Sequence, residues 1–155
     1  MKNTIKTLKA ACGISSKNPS RLALTALSFQ NGIAYATDSY CLLKYSNDNL
    51  KGISGNYEAL GFSKLAVLDS VTDILEKTPV IDAEFPNCET ILTAQESKLE
   101  IGINLLYLEK LIKVFKAHGT TNVIFKFSDA KNPLKIVDLD ESKTELTGLI
   151  MPLKA

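Results

Sequence analysis

The sequence holds no tryptophan, a single histidine (His118) and only three cysteines in 155 residues. Cys12, Cys41 and Cys88 are odd in number and far apart, so they read as reduced thiols of a cytoplasmic protein rather than a disulfide framework. No two cysteines are close and there is one histidine, which excludes the usual spacing of a metal centre. No serine or cysteine nucleophile has a histidine partner in a recognisable setting, and there is no phosphate-binding loop and no dinucleotide glycine pattern. An enzyme is therefore not expected, nor a cofactor. Charge of one sign is also lacking: 18 Lys and Arg against 17 Asp and Glu give a net charge of +1. Wholesale attraction to nucleic acid is excluded, and any such binding requires a local patch. No hydrophobic run approaches a membrane span, and residues 1–10 lack the apolar core of a secretory signal. No membrane partner is expected.

What is present is ordinary for a folded domain, 45% hydrophobic and 23% charged. The most legible stretch is Ser97 to Gly119. Leu99, Ile101 and Ile103 alternate with Lys98, Glu100 and Gly102, as in a half-buried strand. At Asn104 the period changes: Leu105, Leu108, Leu111, Ile112 and Phe115 form the stripe of an amphipathic helix, with Asn104 as N-cap and Gly119 as stop. Burying such side chains contributes roughly 1.5–3 kcal/mol each before entropy is subtracted. The helix needs a sheet to lie on, and alternation predicts strands at 122–128, 134–139 and 144–151.

Earlier in the chain, Ile5, Leu8 and Ala11 or Cys12 stripe a short helix from Thr4 to Cys12 that Gly13 can end. Arg21 to Phe29 reads as a strand, Asn31-Gly32 as a hairpin turn, Ile33 to Thr37 as the return strand, and Cys41 to Tyr45 as a third strand after a tight turn at Asp38-Ser39. Tyr57 to Phe62 is a strand candidate. Ser63 is placed to cap a helix over 64–77, Val80 to Phe85 is a short strand, and Cys88 to Thr93 is extended or irregular. A helix followed by three meandering strands thus occurs twice, at 4–46 and at 105–152. The pattern predicts an α+β fold of two antiparallel sheets with helices packed on one face and an internal helix-plus-strands pseudo-repeat. It is read as a single domain, 1–155, with halves at about 1–56 and 94–155 joined by a helix-containing segment 57–93.

Three groups could carry function. Lys110, Lys113 and Lys116 recur every third residue beside the apolar stripe of the long helix, and Lys2, Lys6 and Lys9 run similarly on the first. They make either a basic patch or ordinary solvated helix faces. Asp138, Asp140 and Glu141 form an acidic cluster that reads as a solvated turn rather than a metal site. His118 sits where it can meet the last carbonyls of its helix.

Two stretches also carry a family resemblance. Asn31 to Tyr45, with Ala36-Thr37-Asp38 followed by Ser39-Tyr40-Cys41-Leu42-Leu43, resembles the hairpin of the bacterial DNA polymerase III beta subunit, the sliding clamp. Ile101 to Lys154, from Gly102-Ile103-Asn104 through the helix and Ser128-Asp129 to Met151-Pro152-Leu153-Lys154, is similar to that family's C-terminal end. Between them, Glu84-Phe85-Pro86-Asn87 resembles a junction of the same family. The family chain has three such domains and two chains close a six-domain ring, whereas this chain has residues for about one. Its usual first strand is missing, and Cys41 stands where the family has Arg. The resemblance implies a DNA-clamp-like fold and a processivity factor for DNA replication, homo-oligomeric around duplex DNA without sequence preference. It implies a DNA polymerase or another clamp-binding-motif protein as partner, and a phage or other mobile element as source. Lys6, Lys9, Lys110, Lys113 and Lys116 would meet DNA phosphates. Tyr40, Leu42, Met151, Pro152 and Leu153 would form the peptide groove, where Met can adapt to varied shapes. A module with the same groove that never encircles DNA is the alternative.

Overall fold

The structure, a computed structural model, describes residues 2–93, 99–140 and 146–153. The chain divides into two compact units, Met1–Ala94 and Gln95–Ala155, so the stretch 57–93 belongs with the first. Each unit is α+β and carries one antiparallel sheet.

In the first unit, α1 (Lys2–Ala11) leads through a 3-10 segment (Pro19–Thr25) into β1 (Ala26–Gln30), β2 (Ile33–Thr37) and β3 (Leu42–Ser46). β4 (Gly55–Glu58), α2 (Ala59–Leu65), α3 (Val71–Glu76) and α4 (Cys88–Thr93) follow. The sheet runs in the order β3-β2-β1-β4. The β1–β2 turn has positive φ at both Asn31 (51°) and Gly32 (82°), which a two-residue hairpin matched to strand twist requires. Leu27 and Phe29 of β1 and Ala34 and Ala36 of β2 face one way. On them pack Ile5, Leu8 and Ala11 from α1, Phe62 from α2, and Ile74 and Leu75 from α3. The opposite face has a smaller cluster of Ala26, Tyr35, Phe85 and Cys88, which brings α4 onto it. Helices therefore cover both faces of this sheet.

Several expected elements differ, each for a local reason. Residues 19–25 are 3-10 turns kinked at Arg21 and not strand: Asn18 Oδ1 accepts from the Ser20 N–H (3.0 Å) and Pro19 pre-sets a helical start. The proposed strand 57–62 is divided between β4 and α2. The proposed helix 64–77 is two helices, because Ser70 caps α3 through the Asp73 N–H instead of continuing a helix interior. Val80 makes one isolated bridge, to Tyr57, and no strand. Cys88–Thr93 is helical, started by Asn87 Oδ1 accepting from the Thr90 N–H at 3.3 Å.

The second unit contains α5 (Leu105–Ala117), β5 (Val123–Lys126), β6 (Leu134–Asp138) and β7 (Thr147–Ile150), in sheet order β5-β6-β7. Asn104 caps α5 by accepting from the Leu106 N–H at 2.8 Å, and Gly119 ends it with φ 84°. Phe115 is buried on Leu134, Ile136 and Ile150, with Leu108 and Leu111 half-buried beside them. Leu105 and Ile112 are 73% and 41% exposed, so the buried stripe is narrower than the sequence pattern. Residues 99–103 form no ladder; the Leu153 N–H donates to the Gly102 carbonyl at 2.8 Å. Ser97, Lys98, Glu141, Thr144 and Lys154 lie outside the described residues. The order helix, then three meandering strands, recurs in both units as α1-β1-β2-β3 and α5-β5-β6-β7. Among the described residues no helix is long and apolar enough to cross a membrane.

Candidate functional site

The β2–β3 connection is fixed by its own polar groups. Asp38 Oδ1 accepts from the Tyr40 N–H (2.9 Å) and the Cys41 N–H (2.8 Å), and Thr37 Oγ1 accepts from the Ser39 N–H (3.1 Å). The Cys41 and Tyr40 amides hold the Asp38 carboxyl below its usual range. Ser39 takes a φ of 83°, and the tight turn turns Tyr40 outward, 91% exposed. Opposite this turn run Pro86 and α4. A cavity of about 310 Å³ opens between the two, lined by Leu24, Thr37, Ser39, Tyr40, Cys41, Leu42, Pro86, Cys88 and Ile91. None of these side chains is charged. The volume lies at the lower end of the range for small ligand sites and suits one or two apolar side chains.

Tyr40 and Leu42 are thus brought together in one cleft. Sequence reasoning missed Leu24, Cys88 and Ile91, which lie on stretches with no periodic signal pointing to a shared cleft. Cys88 is buried, and its thiol is pushed up, first by burial and then by the adjacent Glu89 charge, which disfavours the thiolate. Met151, Pro152 and Leu153 lie at the end of the second unit, with Met151 66% and Leu153 56% exposed.

All five lysines are exposed, Lys6 and Lys9 on α1 and Lys110, Lys113 and Lys116 on α5. Lys113 Nζ is 2.8 Å from Glu109 Oε1, and Lys110 Nζ lies 5.3 Å from the Tyr107 ring centroid. Glu109 therefore partly offsets the Lys113 charge. His118 is the exposed C-cap residue of α5. Asp138 is not a solvated turn residue: it is buried and accepts from Thr120 Oγ1 at 2.6 Å and from the Asp140 N–H at 2.9 Å. Among the described residues no three His, Cys, Asp or Glu side chains are placed to hold a metal ion.

A larger cavity of about 680 Å³ lies between the end of α1, the 3-10 segment and the start of α2. Its walls include Ala10, Leu22, Ala59, Leu60 and Ile81, with Lys9, Lys17 and Glu58 also lining it. Nothing in the sequence pattern marks it, because its lining is drawn from four separate stretches. No family model matches this chain, and no curated protein or solved structure matches it.

Proposed function

We propose that this chain is a non-enzymatic, sliding-clamp-like accessory of DNA replication that tethers a partner by holding a short apolar segment of it in the Tyr40–Leu42 cleft. The observation that carries the reading is the cleft itself, an uncharged, ligand-sized cavity between the β2–β3 turn and α4. Of its lining, the residues from Thr37 to Leu42 and Pro86 lie in stretches whose sequences resemble the clamp family, while Leu24, Cys88 and Ile91 lie outside them. An apolar peptide anchor gains by leaving water there, and no charge in the cleft has to be desolvated. The test is fluorescence anisotropy with a labelled synthetic peptide carrying adjacent Leu and Phe anchors. Saturable binding without DNA, lost in a folded Leu42→Asp variant, is the expected result. Equal binding by that variant would remove the cleft from the account.

A second reading, that copies of the chain encircle duplex DNA, is favoured by the exposure of Lys6 and Lys9 on α1 and of Lys110, Lys113 and Lys116 on α5. Contacts of that kind are phosphate-directed, so affinity falls steeply with salt and shows no sequence preference. Light scattering over a concentration range decides it: an assembly near six copies supplies the family's six domains. A monomer at every concentration ends the encircling reading and leaves the tethering module.

A further inference from the structure

The two walls of the cleft are built differently. Thr37 and Leu42 pair with each other in the β2–β3 ladder, so that wall belongs to the sheet. Pro86, Cys88 and Ile91 come after the last bridge of the sheet, and α4 has six residues, too few to be stable alone. Its apolar hold is the small cluster of Ala26, Tyr35, Phe85 and Cys88. Its polar hold, among the described residues, ends on one atom. Glu89 Oε1 accepts from the Tyr35 phenol and lies 2.5 Å from Lys44 Nζ. Tyr35 is 3% exposed and donates its hydroxyl to this carboxylate, which is how its buried polar end is satisfied. Lys44 and Glu89 are partly exposed, at 37% and 46% of their side chains, so that half of the contact is open to salt.

We propose that Glu89 is the positioning residue of the cleft: by anchoring α4 to Tyr35 and Lys44 it sets the separation of Ile91 and Pro86 from Leu42, and so the fraction of molecules able to take an apolar segment. The affinity consequence rests on the cleft being the tethering site. The principal core, with Leu8, Phe29, Phe62 and Ile74, lies on the other face of the sheet. Release of α4 therefore leaves the fold in place and changes the cleft. Apparent affinity falls in proportion to the closed fraction. Glu89→Ala removes the acceptor from both donors, whereas Glu89→Gln keeps an oxygen for Tyr35 and loses only the charge.

Two measurements on the full chain test this. The first needs no peptide: the rate at which a thiol reagent labels Cys88, located by mass spectrometry and corrected for thiol ionisation because the Glu89 charge raises that thiol, reports how often α4 lifts. It should rise about fivefold in Tyr35→Phe, as for loss of one hydrogen bond, and more in Glu89→Ala than in Glu89→Gln. Unchanged labelling in all three would overturn the positioning role. The second is anisotropy with the labelled Leu-Phe peptide. Binding should weaken in the same order of variants, by the factor by which the closed fraction falls, and so measurably only in variants where the open form becomes a sizeable share of the molecules. The groups facing Glu89 are Tyr35 on β2 and Lys44 on β3, with Cys88 beside it on α4. As pH falls through the carboxylate range the wild type should lose affinity relative to Glu89→Gln, a difference from which Asp38, present in both, cancels. Parallel pH profiles would refute the charge's part. If the wild type binds no peptide, the tethering reading fails, and the Cys88 rates still decide whether Glu89 holds α4.

Discussion

Gly61 offers a test in which two effects of similar size oppose each other and packing decides the sign. A Cβ added there would lie 2.8 Å from Glu58 Oε2, 3.0 Å from Pro79 Cδ and 3.4 Å from Thr78 Cγ2. The Glu58 carboxylate is the end of a flexible chain and can swing away. Pro79 cannot, because its carbonyl accepts from the Glu58 N–H at 2.8 Å and the Ile81 N–H donates to the Asn56 carbonyl at 2.8 Å. Thr78 is buried and donates its hydroxyl to the Ile74 carbonyl at 2.7 Å. On helix propensity alone, Gly61→Ala within α2 would stabilise by about 1 kcal/mol. Pressing a methyl against a fixed proline ring costs about 1–3 kcal/mol. The expected net is a loss of about 1 kcal/mol, and Gly61→Val should lose at least about 2 kcal/mol because its branches have no room. Urea unfolding with an unchanged m value reads both from the midpoint. Leu60→Ala, next door and 62% exposed, is the control and should stay within about 0.5 kcal/mol. If Gly61→Ala gains about 1 kcal/mol, Pro79 is not the wall described and α2 does not close against it.

Other outcomes follow from burial and titration. Phe62 is fully buried, so Phe62→Ala should cost about 3–5 kcal/mol in urea unfolding, whereas Leu105→Ala at a 73% exposed stripe position should cost under about 0.5 kcal/mol. Thiol titration of the native chain at neutral pH should give one rapidly reacting group, Cys41, which is exposed; Cys12 donates to the Leu8 carbonyl and burial pushes its thiol up to about 12, and Cys88 is buried. Rapid reaction at Cys12 would contradict its packing against the core at the end of α1. Burial, and then the hydrogen bond it donates to the Glu89 carboxylate, push the Tyr35 phenol up to about 12 from an ordinary value near 10. A raised phenol stabilises the fold fully below about pH 10 and loses that contribution as pH rises to about 12. Cys88 labelling, corrected for thiol ionisation, should therefore accelerate across that interval in the wild type and not in Tyr35→Phe.

The elements legible in the sequence are those whose signals are local. Asn31-Gly32 meets the positive-φ demand of a two-residue hairpin by residue type alone, and β2 follows at the residues expected, Ile33 to Thr37. Asn104 and Gly119 bound α5 because a cap and a left-handed stop are single-residue properties. The errors fall where a pattern has two solutions. Arg21 to Phe29 is apolar on both faces, and periodicity cannot separate a buried strand from a 3-10 turn feeding a strand. Leu65, Leu68, Val71 and Leu75 keep helical spacing across Ser70, so the spacing hides the break that a side-chain cap makes. At 105–117, Leu105 and Ile112 fit the period but are buried by no neighbour among the described residues, where β5, β6 and β7 are four, five and four residues long.

The cleft was half legible for the same reason. Tyr40 and Leu42 lie on one turn, and a hairpin can be read from its own residues. The facing wall lies more than forty residues further along, at Pro86 to Ile91, and meets the sheet face that α1 does not cover through Phe85 and Cys88 and through Glu89 with Tyr35 and Lys44. Cys88 to Thr93 has no helical stripe of its own: Cys88 is its only buried residue, and Ile91 and Leu92 are 62% and 44% exposed. A six-residue helix with one inward side chain carries no periodic signal, and its contacts to the sheet are all tertiary: the cluster of Ala26, Tyr35, Phe85 and Cys88, and Glu89 with Tyr35 and Lys44. That is also why the test of function belongs there. Leu42→Asp alters the wall held by the sheet and asks whether the cleft takes an apolar segment. Glu89→Ala leaves all nine lining side chains intact and asks whether they must be held together. If both variants lose the Leu-Phe peptide while Phe62→Ala alone unfolds the chain, the cleft works as an assembled site. If only Leu42→Asp loses it, the turn suffices and α4 is a bystander.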